Sequence, residues 1–368
     1  MAELTFPIID VAGSPKVRGQ SYGEQARDRV QKTYEIYASS LREMNGGTER
    51  ADQFLSHIER RVSAWAPDLY EEITGIAAGA NLRVQDVLFI NCRSEVLQLV
   101  RRGVSDPNEP VDGCTGAVLL PEATASGKLI HGQNWDWRTE SLEASVVLRV
   151  SRDDGPNFIT FTEAGGIGRI GMNSSGIAIT GLHLESNRDY TQSGIPVPFI
   201  RRRVLDSEHF ALAIKAVAST PKYCSNNMMI STKEGYAINF ECAPDEAFAI
   251  HPDNGMIVHS NHWLSPVAQH KLIDTGYANV PDSYYRDRRV RGLLAAKVGE
   301  IDTSDLKAAF KDDFAAPYSV CRPPMEKTVG NLSATVATVV MVPEDGTMEV
   351  APLPARGGQF KTYNLIGK

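Results

Sequence analysis

At the junction Gly113-Cys114 the spacing of apolar residues changes, and this change restricts the fold more than any other feature of the chain. Upstream, Ala26, Val30, Tyr34, Tyr37 and Leu41 recur three and four apart, one face of a helix over residues 19–44. Further helices are expected over 52–64, from Pro67 through 71–80, and over 84–100, with proline placed for a first turn. A polar stretch with two prolines and two glycines, residues 101–113, reads as an exposed loop. Downstream, alternation predicts strands over 115–120, 128–137, 145–151 and 157–163, then a hairpin over 168–181 turning at 173–176. A helix over 198–219, four strands near Met228, Ala237, Ala247 and Val258, helices over 284–297 and 304–314, and a hairpin turning at 344–346 complete the chain. This order predicts two sheets stacked face to face with helices outside, not an alternating βαβ unit.

Composition removes several functions. Lys and Arg number 38 against 45 Asp and Glu, a net charge of -7, with no basic run able to displace the counterions of a duplex. Nucleic acid is therefore not an expected partner. No apolar stretch reaches the roughly 18–20 residues of a membrane span. The first residues lack the basic and apolar regions of an export signal, and the last are not of the Ser-Lys-Leu type, so a cytoplasmic protein is expected. Five cysteines, odd in number and without a CxxC pair, indicate neither a disulfide scaffold nor a zinc site. No cofactor and no metal are expected.

Three motifs are weaker than they look. Residues 166–171 match G-x-G-x-x-G, but a hairpin is expected after them where a dinucleotide site needs a helix. His251, His259, His262 and His270 lack the helical and carboxylate context of a metal centre. Arg201-Arg202-Arg203, on a helix, reads as a solvated face, with recognition of an anionic substrate as the lesser alternative.

Cys114 stands apart. Packing accounts for Cys92 and Cys242, but not for a thiol that opens a strand directly after a glycine. Attack of that thiol on the Gly113 carbonyl would shift the acyl group from nitrogen to sulfur, sever the chain and free the Cys114 α-amine. That amine has an ordinary pKa near 7.7–8.0, against about 8.5 for the thiol, so one residue would supply nucleophile and base.

Asp112-Gly113-Cys114-Thr115 is followed by Gly132-Gln133-Asn134-Trp135-Asp136. With Gly19, Gly23, 91–95, 162–165, 259–262, 281–283 and Cys321-Arg322, in that order, the sequence resembles the isopenicillin N acyltransferase family of N-terminal nucleophile hydrolases. The resemblance spans nearly the whole chain. It implies an α+β, four-layer αββα sandwich and a precursor that cleaves itself into an α chain (1–113) and a β chain (114–368), together one integrated domain. It also implies Cys114 as nucleophile, with Asp136, Asn261 and Arg322 as companions and Gly113, Cys114 and Thr115 at the self-cleavage point. Asp136 could orient the new amine, an Asn261 N–H could hold an oxyanion, and Arg322 could favour the thiolate. Asn91, Arg93 and Glu95 are expected to pack the α chain on the sheets, and His131 is assigned no role.

The expected activity is hydrolysis of a small N-acylated amine, amino acid or peptide-like amide through a thioester. Acyl transfer to an amine, as in acyl-CoA:6-aminopenicillanate transfer, is the alternative. A non-catalytic binding protein of the same fold is a rival, opposed by the joint presence of the four site residue types. A papain-like protease would set its cysteine at a helix N-terminus, whereas Cys114 opens a strand. The expected partners are the small substrate and the two chains of one precursor; self-association is left open.

Overall fold

The computed structural model describes residues 4–44, 46–101, 113–326 and 332–367, so Asp112 and almost all of the expected 101–113 loop lie outside the described residues. An eight-stranded sheet runs in the order Ile8–Ala12, Ser145–Ser151, Phe158–Glu163, Ile170–Asn173, Ile177–His183, Asn226–Thr232, Tyr236–Cys242, Ala247–Ile250. A second sheet runs Met256–His259, Cys114–Leu119, Ile130–Arg138, Leu332–Val342, Thr347–Pro352, Lys361–Asn364, with Met325–Glu326 beside Leu332–Val342. Ile8–Ala12 lies parallel to Ser145–Ser151; the other paired strands are antiparallel.

The two-residue period of each strand sorts its side chains into layers. Val118 points between the sheets, where it meets the layer of Val147, Ile159, Phe161 and Met172. Its neighbours Ala117 and Leu119 point the other way, into the layer shared with Val290, Leu294, Leu306 and Phe310 of the helices Ser283–Ala295 and Thr303–Phe310. On the far side, Val146, Leu148 and Val150 turn toward Ile73, Val87 and Val204 of the helical layer. Helix, sheet, sheet, helix is the αββα sandwich.

Three expected helices are each two. The 19–44 pattern divides at Ala26 into Pro15–Gln25 and Arg27–Glu43; Ala26 still donates to the Tyr22 carbonyl, so the apolar period passes through the hinge undisturbed. The 84–100 segment divides at Asn91-Cys92, where the Asn91 side chain bonds the Gly165 carbonyl (2.8 Å) and the Ile167 N–H (2.9 Å) of a turn in the other layer. The 198–219 segment divides after Leu205 because Asn173 takes the Leu205 and Ser207 carbonyls. Two short edge strands, Ile8–Ala12 and Lys361–Asn364, and the helix Pro266–Lys271 carry too little periodicity to be read from sequence. Residues 166–171 lead into the strand Ile170–Asn173, not into a helix.

The helices Pro15–Gln25 and Pro67–Ala80 touch backbone to backbone through Gly19, Gly23, Gly75 and Gly79. A Cβ added at Gly79 would lie 2.2 Å from the Gln20 carbonyl oxygen, and one at Gly19 the same distance from that of Glu72. Gly79→Ala should lower unfolding free energy by about 1–3 kcal/mol, since overpacking exceeds the gain in helix propensity. Urea denaturation will read this as a lower midpoint.

Candidate active site

Cys114 is the first residue of its strand, opposite Trp135, with its side chain 7% exposed in the layer between the sheets. It lines a cavity of about 650 Å³ together with Asp136, Trp137, Arg169, His183 and Arg201. Cys224 lines the same cavity, but burial and the carboxylates of Glu95 and Asp189 push its thiol well above the usual range.

The peptide group before Cys114 is held from both ends. The Gly113 carbonyl accepts the Asp136 N–H at 3.1 Å, and the Cys114 N–H donates to Asn261 Oδ1 at 2.7 Å. Asn261 Nδ2 donates to the His183 carbonyl (2.9 Å), so Asn261 meets Cys114 as an acceptor. Arg286 donates to the Cys114 carbonyl (2.7 Å), the Thr115 hydroxyl (2.9 Å) and Asn261 Oδ1 (2.8 Å). Gly113 is required sterically: a Cβ there would lie 2.8 Å from a terminal nitrogen of both Arg286 and Arg322.

Around this peptide two carboxylates and two guanidinium groups are buried together. Asp282 accepts from Arg286 Nε at 2.7 Å and pairs with a terminal nitrogen of Arg322. Arg322 Nε stands 3.3 Å from Asp136 Oδ2. Asp136 Oδ1 accepts the Thr335 hydroxyl at 2.7 Å. Thr335 is aimed by a bulge: the register of Leu332–Val342 against Ile130–Arg138 slips at Val336, directly beside Asp136. Burial raises the Asp136 carboxyl to about 6, against the opposing pull of Arg322 and Arg286. Burial, with help from Asp136, also raises the Cys114 thiol, while the Asp136 N–H, Arg169 and Arg286 draw it down.

Cys114, Asp136, Asn261 and Arg322 thus converge, with Gly113 and Thr115 beside them. Sequence reasoning missed Arg286, Asp282 as its partner, and Thr335. A usable signal existed for the first pair: Asp282 and Arg286 are four apart at a helix start, the spacing of an ion pair. Ser283, next in line, accepts the Asn261 N–H (2.6 Å) and so fixes that residue's loop. His259 bonds Glu241 (2.7 Å) and His262 bonds Ser283 (2.7 Å); no metal-holding cluster occurs among the described residues. His131 lies between Ser231 and Thr180, and burial lowers its pKa to about 3. Arg93 pairs with Glu163, and Glu95 accepts the Val197 N–H (2.8 Å), joining layers while also lining the cavity.

Residues 123–352 match the model of the family described as acyl-coenzyme A:6-aminopenicillanic acid acyl-transferase. The chain belongs to this family. It is 30% identical over 325 residues to the acyl-coenzyme A:6-aminopenicillanic-acid-acyltransferase 40 kDa form of Emericella nidulans, covering 85% of this chain and 84% of that protein. Two solved variants of the conjugated bile acid hydrolase of Clostridium perfringens superpose with TM-scores of 0.50 and 0.51 at 16% identity, covering 68% of this chain and 92% of theirs. The sandwich is therefore of the N-terminal nucleophile hydrolase type. As a member of the acyl-transferase family the chain is an amide-acting enzyme, a hydrolase or acyltransferase. No helix among the described residues is long and apolar enough to cross a membrane.

The raised Asp136 pKa has a sign. A carboxyl held above its ordinary value of about 3.9 contributes stability that is fully present below that value and lost as pH rises through about 6. Asp136→Asn does not titrate there. The stability of the wild type relative to Asp136→Asn should therefore decline between pH 4 and pH 7, read by urea denaturation at each pH. A difference independent of pH would contradict the assignment.

Proposed function

We propose that the chain is a self-processing N-terminal cysteine amidohydrolase acting on a small N-acylated amine, amino acid or peptide-like amide. The observation that carries this reading is the grip on the Gly113–Cys114 peptide: carbonyl on the Asp136 N–H, nitrogen on Asn261 Oδ1.

In the first stage Cys114 Sγ attacks the Gly113 carbonyl carbon and its proton passes to the departing nitrogen. The C–N bond breaks, leaving Gly113 as a thioester on Sγ and the Cys114 nitrogen as a free amine. The Asp136 N–H donates to the developing oxyanion, and Asn261 Oδ1 accepts from the nitrogen throughout. Water hydrolyses the thioester, giving chains 1–113 and 114–368. In the second stage the α-amine of Cys114 takes the thiol proton, and Sγ attacks the substrate carbonyl from the cavity side. The protonated amine then protonates the leaving nitrogen. The second Asn261 amide proton is assigned to the substrate oxyanion. Arg322 and Arg286 oppose the burial that raises the Asp136 carboxyl, beside the protonated amine of the intermediate. Water releases the acid.

Acyl transfer, with an amine in place of water, is the second reading; the family's description and its Emericella nidulans relative favour it. Both begin from the same thioester.

The purified wild type should separate under denaturing conditions into two chains, the larger beginning Cys-Thr-Gly-Ala, while Cys114→Ala should remain a single chain. An uncut wild type indistinguishable from Cys114→Ala in every N-acyl amide assay would sink the reading. Gly113→Ala should fold but self-cleave at least roughly tenfold more slowly, because its methyl displaces the peptide from the two guanidinium groups. Pulse labelling followed by gel analysis measures that rate.

A further inference from the structure

Arg201-Arg202-Arg203 does not form a solvated face. Arg202 is completely buried and holds both oxygens of Glu72 (2.7 Å each) and Asp206 (2.9 Å); Arg203 grips Asp68 with two bonds of 2.6 Å. Arg201, between the sheet and the cavity, is different. It is 8% exposed and lines the same cavity as Cys114, yet makes no hydrogen bond or ion pair with any described residue, and its Nε is buried without a partner.

A buried guanidinium without a carboxylate is expensive, and burial and the nearby Arg169 lower its pKa to about 9. Two carboxylates that share the cavity bond other groups, although Glu95 also acts on Arg201 at a distance. Glu163 holds Arg93, Arg169 (2.8 Å) and the Tyr37 hydroxyl, and Glu95 takes the Val197 N–H. The fold nevertheless makes room for Arg201. A Cβ at Gly181 would lie 2.2 Å from its terminal nitrogen and 2.6 Å from its central carbon, so the group rests on bare backbone that only glycine leaves open. Gly181 is on the strand Ile177–His183, whose last carbonyl anchors Asn261. Arg201 is therefore fixed in register with the Cys114 site, and lies within electrostatic reach of the thiol.

We propose that Arg201 is a specificity-determining residue that receives a carboxylate of the substrate, so that the preferred N-acyl amide is an anion. This rests on the amidase reading of the same cavity. The planar guanidinium offers two parallel donors to a carboxylate, a contact worth a tenfold or greater preference in a buried site. The carboxylate belongs either to the amine half, as in an N-acyl amino acid, or to the acyl half, as in a dicarboxylic monoamide.

The test uses the processed wild-type enzyme and Arg201→Gln. N-octanoylglycine is compared with N-octanoylglycinamide, and the mono-benzylamide of glutaric acid with its methyl ester. The wild type should favour the acid of at least one pair by roughly ten- to hundredfold in kcat/KM. Which pair shows the preference assigns the carboxylate to the amine or the acyl half. In Arg201→Gln that ratio should collapse toward one. A second readout does not need turnover: alkylation of Cys114 by anionic iodoacetate relative to neutral iodoacetamide, followed by peptide mass spectrometry. Arg201→Gln should lower that ratio several-fold. Should the glutamine variant not fold, Arg201→Lys serves. Its point charge should keep the alkylation ratio, while the loss of the two-point contact lowers the acid preference. Hydrolysis of acid and neutral partner at equal rates, or the same ratios in wild type and variants, would overturn the proposal while leaving the amidase reading intact. Absence of hydrolysis of all four compounds with an Arg201-dependent alkylation ratio would instead count against the amidase reading alone.

Discussion

Two carboxylates and two guanidinium groups, buried together around one peptide bond, are what the rest of the structure is arranged to hold. Asp136 comes from the middle of one sheet, Asp282 and Arg286 from the start of an outer helix, and Arg322 from a loop that leads into a strand. None of these charges is tolerable alone at such depth; the set is tolerable because each faces an opposite partner. Loss of any one leaves a bare charge in a medium that cannot solvate it. The four layers therefore have to assemble with these elements in one registry, and the Gly113-Cys114 peptide lies where their fields overlap.

The same principle separates the thiols. All five cysteines are buried, and burial alone makes a thiol less acidic and less reactive. Cys92 bonds the Leu88 carbonyl within its own helical layer, and Cys242 sits in the core between helices and sheet. Cys114 and Cys321 both adjoin the four-charge set, but Cys321 does not line the cavity and burial with Asp136 pushes its thiol up to about 12, whereas Cys114 lines the cavity with a backbone N–H and two arginines offsetting the penalty of burial.

Much of this was legible in the chain because it is local. The change of period at residue 113 and the alternation of Ala117, Val118 and Leu119 each encode one layer. What escaped notice is made by distant residues meeting. The bulge at Val336 that aims Thr335, the breaks at Asn91-Cys92 and after Leu205, and the isolation of Arg201 all depend on partners that are far away in sequence. A run of three arginines looks uniform in one dimension. In the fold its members meet a buried glutamate, an aspartate and an open cavity, in that no two have the same surroundings.

The strand Ile8–Ala12 lies five residues long against Ser145–Ser151, inside a sheet otherwise built from residues beyond 144. A cut at 113–114 would therefore leave a nicked body whose pieces share one hydrogen-bonded sheet, not a pair of separable units. Such a body holds together as before, but its return from the unfolded state changes in kind. The uncut chain refolds as a first-order event, indifferent to dilution. Once severed, the two pieces must find each other in solution, so recovery becomes second order and fails at low concentration. Maturation would then make the fold a one-way construction, assembled as one molecule and not readily rebuilt as two.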